Sequence, residues 1–136
     1  MIILDASAVV EMLMGSRAGG RVTDRIQAEA APPRSIALLD LEVANTLRRL
    51  VRLNELDAQR AGGAVTDLAA LALVRFPHTP FLSRIWELRD RLTAYDAAYV
   101  ALAEELGAPL LTLDARLARA GGHRAQVELI EAPLRH

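Results

Sequence analysis

Apolar residues fall in two patterns along this chain, short unbroken runs and helix-spaced stripes, and the two alternate. Met1 to Leu4 is an apolar run closed by Asp5, the pattern of a strand buried on both faces. Ser7 to Met14 leads to a glycine stop at Gly15. A second helix is expected from about Ser16 to Ala30, weakened in its first turn by Gly19 and Gly20 and broken by Pro32 and Pro33. Ser35 to Ala37 reads as a brief extended stretch. Asp40 fits the N-cap of a helix through about Leu53, with Leu39, Val43, Leu47 and Leu50 on one face and Asn54 at its end. Asp57 caps the next helix, which reaches about Leu73.

Val74 to Phe76 fits a third strand, and Phe81 to Leu92 a helix after the turn at Pro77 and Pro80. From Thr93 a strongly helical segment runs to Gly107, with Thr93 and Asp96 at capping-box spacing. Pro109 to Leu113 is a strand, Asp114 to Ala120 a short helix stopped by Gly121 and Gly122, and Val127 to Ile130 a last strand. Strands alternating with helices imply an α/β fold with a parallel sheet covered on both sides. The 136 residues, 52% of them hydrophobic, fit one domain spanning 1–136.

Composition narrows the chemistry. There is no cysteine, which removes disulfides, structural zinc and thiol nucleophiles together. No apolar stretch is long enough to span a bilayer and no basic leader precedes the first run, so a soluble, cytoplasmic protein with no membrane partner is expected. All sixteen basic residues are arginines, whose planar fork suits phosphate, although codon usage is a sufficient explanation. His78, His123 and His136 stand alone and receive no role.

The acidic residues hold the chemical signal. Asp5 and Asp114 stand directly after apolar strand runs, where open parallel sheets bind ligands. Glu42 and Asp96 lie in the first turns of helices that would approach the same edge. Each also fits a bland role, as a helix cap or a solvated first-turn acid. Convergence separates the readings. Four carboxylates at a spacing of roughly 5 Å would repel by about 3 kcal/mol per pair, on the order of 20 kcal/mol together, more than a domain's whole stability. Such a cluster needs protons or cations, and hard oxygen ligands suit Mg²⁺ or Mn²⁺. With those four set aside, thirteen acids oppose sixteen arginines, a mildly cationic shell around an anionic hole. Receiver and dehalogenase-type acidic pockets each need a lysine, which this chain lacks, and no glycine-rich nucleotide loop is present.

The blocks Ile-Ile-Leu-Asp-Ala-Ser-Ala, Leu-Glu-Val-Ala-Asn-Thr-Leu-Arg-Arg, Leu-Thr-Ala-Tyr-Asp-Ala-Ala-Tyr-Val-Ala-Leu-Ala-Glu-Glu-Leu and Leu-Leu-Thr-Leu-Asp follow one another in order. Together they resemble the successive motifs of PIN-domain ribonucleases, and more narrowly the VapC toxins of bacterial toxin-antitoxin pairs. The resemblance implies a PIN-like doubly wound sheet of about five parallel strands flanked by helices. It places the catalytic and metal-binding quartet on Asp5, Glu42, Asp96 and Asp114, with Ser7 and Thr112 supporting the first and last. It implies a Mg²⁺- or Mn²⁺-dependent endoribonuclease with an RNA substrate and a cognate antitoxin protein. Whether Glu42 binds metal or deprotonates water stays open at this point. Arg48, Arg49 and Arg89 are candidate RNA contacts, and Arg52, Arg84 and Arg91 flank the same blocks. The helices from Asp40 to Leu73 carry apolar residues beyond one face, namely Leu50, Val51, Leu53, Leu56, Val65, Leu68, Leu71 and Leu73. Any left exposed would suit an antitoxin helix or a homodimer contact. The rival readings are a catalytically silent PIN scaffold that binds a partner protein, which would have no use for four repelling acids, and a DNA-processing nuclease, disfavoured by the small size.

Overall fold

The computed structural model describes residues 1–131, so His136 lies outside the described residues. Five strands, β1 (Ile3–Leu4), β2 (Arg34–Ile36), β3 (Val74–Phe76), β4 (Leu110–Thr112) and β5 (Val127–Leu129), form one sheet in the order β3-β2-β1-β4-β5. All four pairings are parallel. Successive strand residues point to opposite faces, and Ile2, Ile3, Leu4, Leu110, Leu111 and Thr112 are all fully buried, so helices cover the central strands on both sides. The outer strands are wetter, with Val74 and Leu129 exposed. From β1 the chain winds one way to β2 and β3, and from β4 the other way to β5. The reversal lies between β1 and β4, where ligands bind in such sheets.

Seven helices accompany the strands among the described residues: α1 (Ala6–Met14), α2 (Arg17–Gln27), α3 (Leu39–Arg52), α4 (Ala58–Ala70), α5 (Leu82–Glu87), α6 (Ala94–Leu106) and α7 (Ala115–Arg119). Their ends follow local chemistry. Asp5, Ser16, Asp57, Thr93 and Asp114 each accept a backbone N–H in the first turn of the helix that follows. Gly15 and Gly107 close α1 and α6 in the left-handed conformation, and Asn54 adopts it just past α3. Helix α6 packs across β1, β2 and β4, with every residue from Ala97 to Ala103 buried. Its alanines allow the close approach, and Val100 and Leu102 each contribute about 2 kcal/mol through burial.

The structure corrects several expectations. Asp40 is not a cap: α3 starts at Leu39 without a side-chain cap, and the Asp40 carboxylate instead receives both contacts of Arg75 Nε on β3, at 2.8 and 3.0 Å. Leu39, Val43 and Leu47 line the buried face as expected, while Leu50 is half-buried. The expected helix from Phe81 to Leu92 is reduced to a 3₁₀ turn (Thr79–Phe81) and the short α5. It stops where the Leu88 N–H divides between the Arg84 and Ile85 carbonyls. Helix α4 ends three residues earlier than expected, because Leu71 turns extended and Leu73 enters the core. Helix α2 ends at Gln27, short of Ala30, with no proline inside it.

The Gly19–Gly20 pair also splits into two unlike positions. A Cβ on Gly19 would sit 2.0 Å from the Glu11 carbonyl oxygen of α1, whereas one on Gly20 would meet nothing within 4 Å. Gly19 therefore lets α1 and α2 touch, and Gly20 only loosens the chain. Gly19→Ala is expected to destabilise the fold by about 1–3 kcal/mol through the forced backbone shift. Gly20→Ala should stabilise it by about 0.5–1 kcal/mol. Urea denaturation of the two variants would show opposite shifts in midpoint.

Candidate active site

Asp5 leaves β1 at the point of sheet reversal and is almost completely buried, 5% exposed. Burial is the chief reason its pKa is raised, and the nearby Asp96 charge adds to the effect. Three donors oppose the rise: Ser7 Oγ at 2.6 Å and the Ala8 N–H at 3.0 Å on Oδ1, and Thr112 Oγ1 on Oδ2. Thr112 comes from β4, next to β1, and its oxygen also accepts the Asp114 N–H at 3.0 Å. Ser7 Oγ in turn accepts the Leu113 N–H at 2.9 Å. Two hydroxyls thus stitch the ends of β1 and β4 together and join Asp5 to the Asp114 backbone.

Asp114 starts α7, where its Oδ1 accepts the Arg116 N–H at 2.9 Å. Asp96 sits in the first turn of α6, three residues past the Thr93 cap. The two acids share a cleft of about 220 Å³ with Arg91 and Arg116. Burial raises the Asp96 pKa first and the Asp114 charge second, against opposition from Arg116 and Thr93. Glu42 projects from the first turn of α3, with its pKa raised by burial and then by the charges of Asp96 and Asp5. All four carboxylates therefore belong to one electrostatic neighbourhood at the carboxyl edge of the sheet.

Tyr99 completes the arrangement and was not singled out by the sequence pattern. Its ring is buried in α6 and its Oη donates to Glu42 Oε1 at 2.5 Å. Burial and the Glu42 carboxylate hold the phenol far above its usual pKa, so it acts as a neutral donor. The available signal was a tyrosine three residues past Asp96, one helical turn along the same face.

The quartet does not close at the even spacing of roughly 5 Å assumed from sequence. Among the described residues no three Asp, Glu or His side chains stand as a ready ligand set for one ion. Hydroxyl donors hold the Asp5 carboxylate and the Tyr99 phenol holds that of Glu42. The donor chemistry nevertheless fits a hard cation. All four acids are oxygen donors, the pKa values of Asp5, Glu42 and Asp96 are raised, and Mg²⁺ keeps much of its water and uses only one or two carboxylates.

The candidate arginines divide. Arg48 and Arg49 are exposed on α3. Arg89 folds back over the Trp86 ring, 4.7 Å from its centroid. Arg84 is held by Glu104 at 2.8 Å and is structural, whereas Arg91 and Arg116 border the acidic cleft. His123 uses Nδ1 to accept the Ala125 N–H.

The PIN domain family profile matches residues 2–123. Over 130 residues the chain is 40% identical to ribonuclease VapC12 of Mycobacterium tuberculosis, covering 96% of this chain and 99% of that one. The chain belongs to the PIN-domain family, in its VapC branch. Solved structures share the fold at low identity. VapC20 of Mycobacterium tuberculosis, described as a sarcin-ricin loop cleaving toxin, superposes with a TM-score of 0.66 at 14% identity, covering 87% of this chain and 93% of that one. A toxin-antitoxin complex from Klebsiella pneumoniae gives 0.60 at 15% identity, covering 88% of this chain and 91% of that one.

A pH dependence follows for this PIN chain without metal. Asp5, Glu42 and Asp96 have folded-state pKa values above those of the unfolded chain, so the folded state holds their protons longer. Their favourable contribution is present below the ordinary carboxylate range and is lost as pH rises through the raised values. Asp96→Asn should flatten that fall and stabilise the chelator-treated protein at neutral pH, by on the order of 1 kcal/mol or less because solvent screens the half-exposed group. Thermal melts in EDTA across acidic to neutral pH measure it.

Proposed function

We propose that this chain is a Mg²⁺- or Mn²⁺-dependent endoribonuclease, the toxin of a toxin-antitoxin pair, with residues 1–136 acting as one cytoplasmic nuclease domain. The observation that carries the reading is the gathering of Asp5, Glu42, Asp96 and Asp114 into one electrostatic neighbourhood at the β1–β4 reversal. The 40% identity to ribonuclease VapC12 over 96% of the chain supports RNA as the substrate, and the toxin-antitoxin complex from Klebsiella pneumoniae supports a protein partner. Among the described residues no helix is long and apolar enough to cross a membrane. A silent scaffold would gain nothing from these acids and lose stability to their repulsion.

In this mechanism Asp5, Asp96 and Asp114 would hold the metal directly or through water. The bound metal would lower the pKa of a water and stabilise charge on the phosphodiester oxygens. Ser7 and Thr112 keep the Asp5 carboxylate oriented at the sheet edge and oppose the rise in its pKa. The Tyr99 hydroxyl occupies Glu42 Oε1, and Oε2 is assigned to orient the attacking water and take its proton. Arg91 and Arg116 beside the cleft would hold RNA phosphates on one side, and Arg48 and Arg49 on another.

Antitoxin or self-association has a modest apolar surface to use on α3 and α4. Leu68 and Leu73 are core and Leu50, Val51, Leu56 and Leu71 are half-buried, but Leu53 and Val65 remain 58% and 44% exposed. A homodimer through this region is part of the proposal, and light scattering of wild type against Leu53→Asp measures it.

Purified protein should cleave RNA with Mg²⁺ or Mn²⁺ and stop in EDTA, while DNA stays intact. Undiminished cleavage in chelator would remove the metal mechanism. Asp5→Ala should lower kcat by about 10³-fold or more and abolish growth arrest on expression, which the cognate antitoxin should also relieve. Tyr99→Phe, which keeps the ring and deletes only the donor, should lower kcat by about 10-fold with KM for RNA unchanged. Steady-state kinetics on folded samples separate that outcome from lost binding.

A further inference from the structure

Beside Glu42 the surface turns apolar and aromatic. Leu38, Leu41, Asn45 and Tyr95 join Glu42 around an open cleft of about 410 Å³. Tyr95 is 56% exposed although it immediately precedes Asp96, and Leu41 on the facing helix is 71% exposed. A second recess of about 230 Å³ shares Leu38 and Tyr95 and runs on to His78 and Leu82. The Tyr95 side chain therefore lines both recesses, within one residue of a catalytic carboxylate.

Single exposed apolar residues need no explanation. What needs one here is their company. Asn45 lies one helical turn past Leu41 and is exposed, so its amide offers both donors and an acceptor. The same α3 face continues at spacings of three and four through Arg48, Arg49 and Arg52. None of these three pairs with a carboxylate among the described residues. Arg49 stands about 10 Å along the helix axis from Glu42. A planar apolar wall, an amide at its edge and a following row of unpaired cations match a ligand that alternates flat rings with anions. A wholly apolar protein partner would leave Asn45 and the arginines unused.

We propose that this cleft is a nucleobase subsite. An unpaired base of single-stranded RNA beside the scissile phosphate stacks on the Tyr95 ring, Asn45 hydrogen-bonds its edge, and the phosphates that follow run along Arg48, Arg49 and Arg52. The subsite rests on the ribonuclease reading and adds to it a preference for unpaired RNA, because a base inside an A-form duplex has no free face to offer. Stacking on Tyr95 also places the base beside Glu42, which lines the same cleft.

The test measures binding apart from cleavage. Short fluorescein-labelled homopolymeric oligoribonucleotides are titrated in EDTA and followed by anisotropy, beside the same strands in duplex form. Wild type should favour the single strands, and Tyr95→Ala should weaken binding by about 10- to 100-fold. Tyr95→Phe, which keeps the ring, should restore most of it. Leu41→Glu, on the facing wall, should also weaken binding and serves as a second, independent variant. Asn45→Ala should change the ranking among the four homopolymers, whereas Arg49→Gln should weaken all four alike and flatten the salt dependence. Equal binding by wild type and Tyr95→Ala, or a preference for duplex, would overturn the subsite. So would a Tyr95→Ala protein with altered self-association or antitoxin affinity and unaltered RNA binding, which would make the cleft a protein interface. Tyr95-dependent binding without metal-dependent cleavage would keep the subsite and remove the nuclease reading. Cleavage with an unchanged KM in Tyr95→Ala would do the reverse.

Discussion

The acidic edge depends on one buried carboxylate kept in place at the end of the central strand. Asp5 follows a strand whose residues are sealed on both faces, so its side chain emerges where water is scarce. Burial raises its pKa. Ser7, Ala8 and Thr112 donate to its two oxygens, and these donors come from the next turn of the chain and from the neighbouring strand. The same hydroxyls receive the Leu113 and Asp114 N–H groups. Holding Asp5 and fixing the direction of the chain after β4 are therefore one task. Thr112→Val would remove a donor to Asp5 and an acceptor for Asp114 together.

Helix α6 is the second organising element, and its rigidity has a physical source. Seven consecutive residues, from Ala97 to Ala103, are buried, which anchors the helix against three strands. That anchoring makes the positions of its polar residues reproducible. Asp96 faces the acidic cleft from its first turn, Tyr99 reaches Glu42 across to α3, and Tyr95 stays in solvent beside both. A single rigid rod thus presents a carboxylate, a donor and an aromatic face at the same edge.

Hydroxyl donors to Asp5 and Glu42 offset part of the burial and repulsion that raise their pKa values. Each raised carboxylate pKa records repulsion and burial that a cation would relieve, so metal affinity and metal-free instability have the same origin. Arginines close to the site fall into two groups. Arg84 is occupied by Glu104 and Glu87, while Arg91 and Arg116 border the cleft, Arg116 in a long 3.7 Å contact with Asp114.

The sequence by itself determined the alternation of strands and helices, the parallel sheet, most caps and the four acids. Those features rest on local periodicity and on the preference of Asp, Ser, Thr and Gly for helix ends, which neighbouring residues alone decide. Tertiary structure decided what depends on a distant partner. Asp40 looked like a cap until Arg75 from β3 claimed it, and the Phe81–Leu92 helix broke at Leu88, where Ile85 and Leu88 are both buried in the core. Gly19 looked like a weak point in a helix and is a contact with Glu11 on another. Tyr99 was not singled out in the sequence, because its phenol meets Glu42 across fifty-seven positions of sequence. Whether four acids form a site at all is likewise a matter of which strand ends and helix starts meet, and that is set by packing rather than by any local pattern.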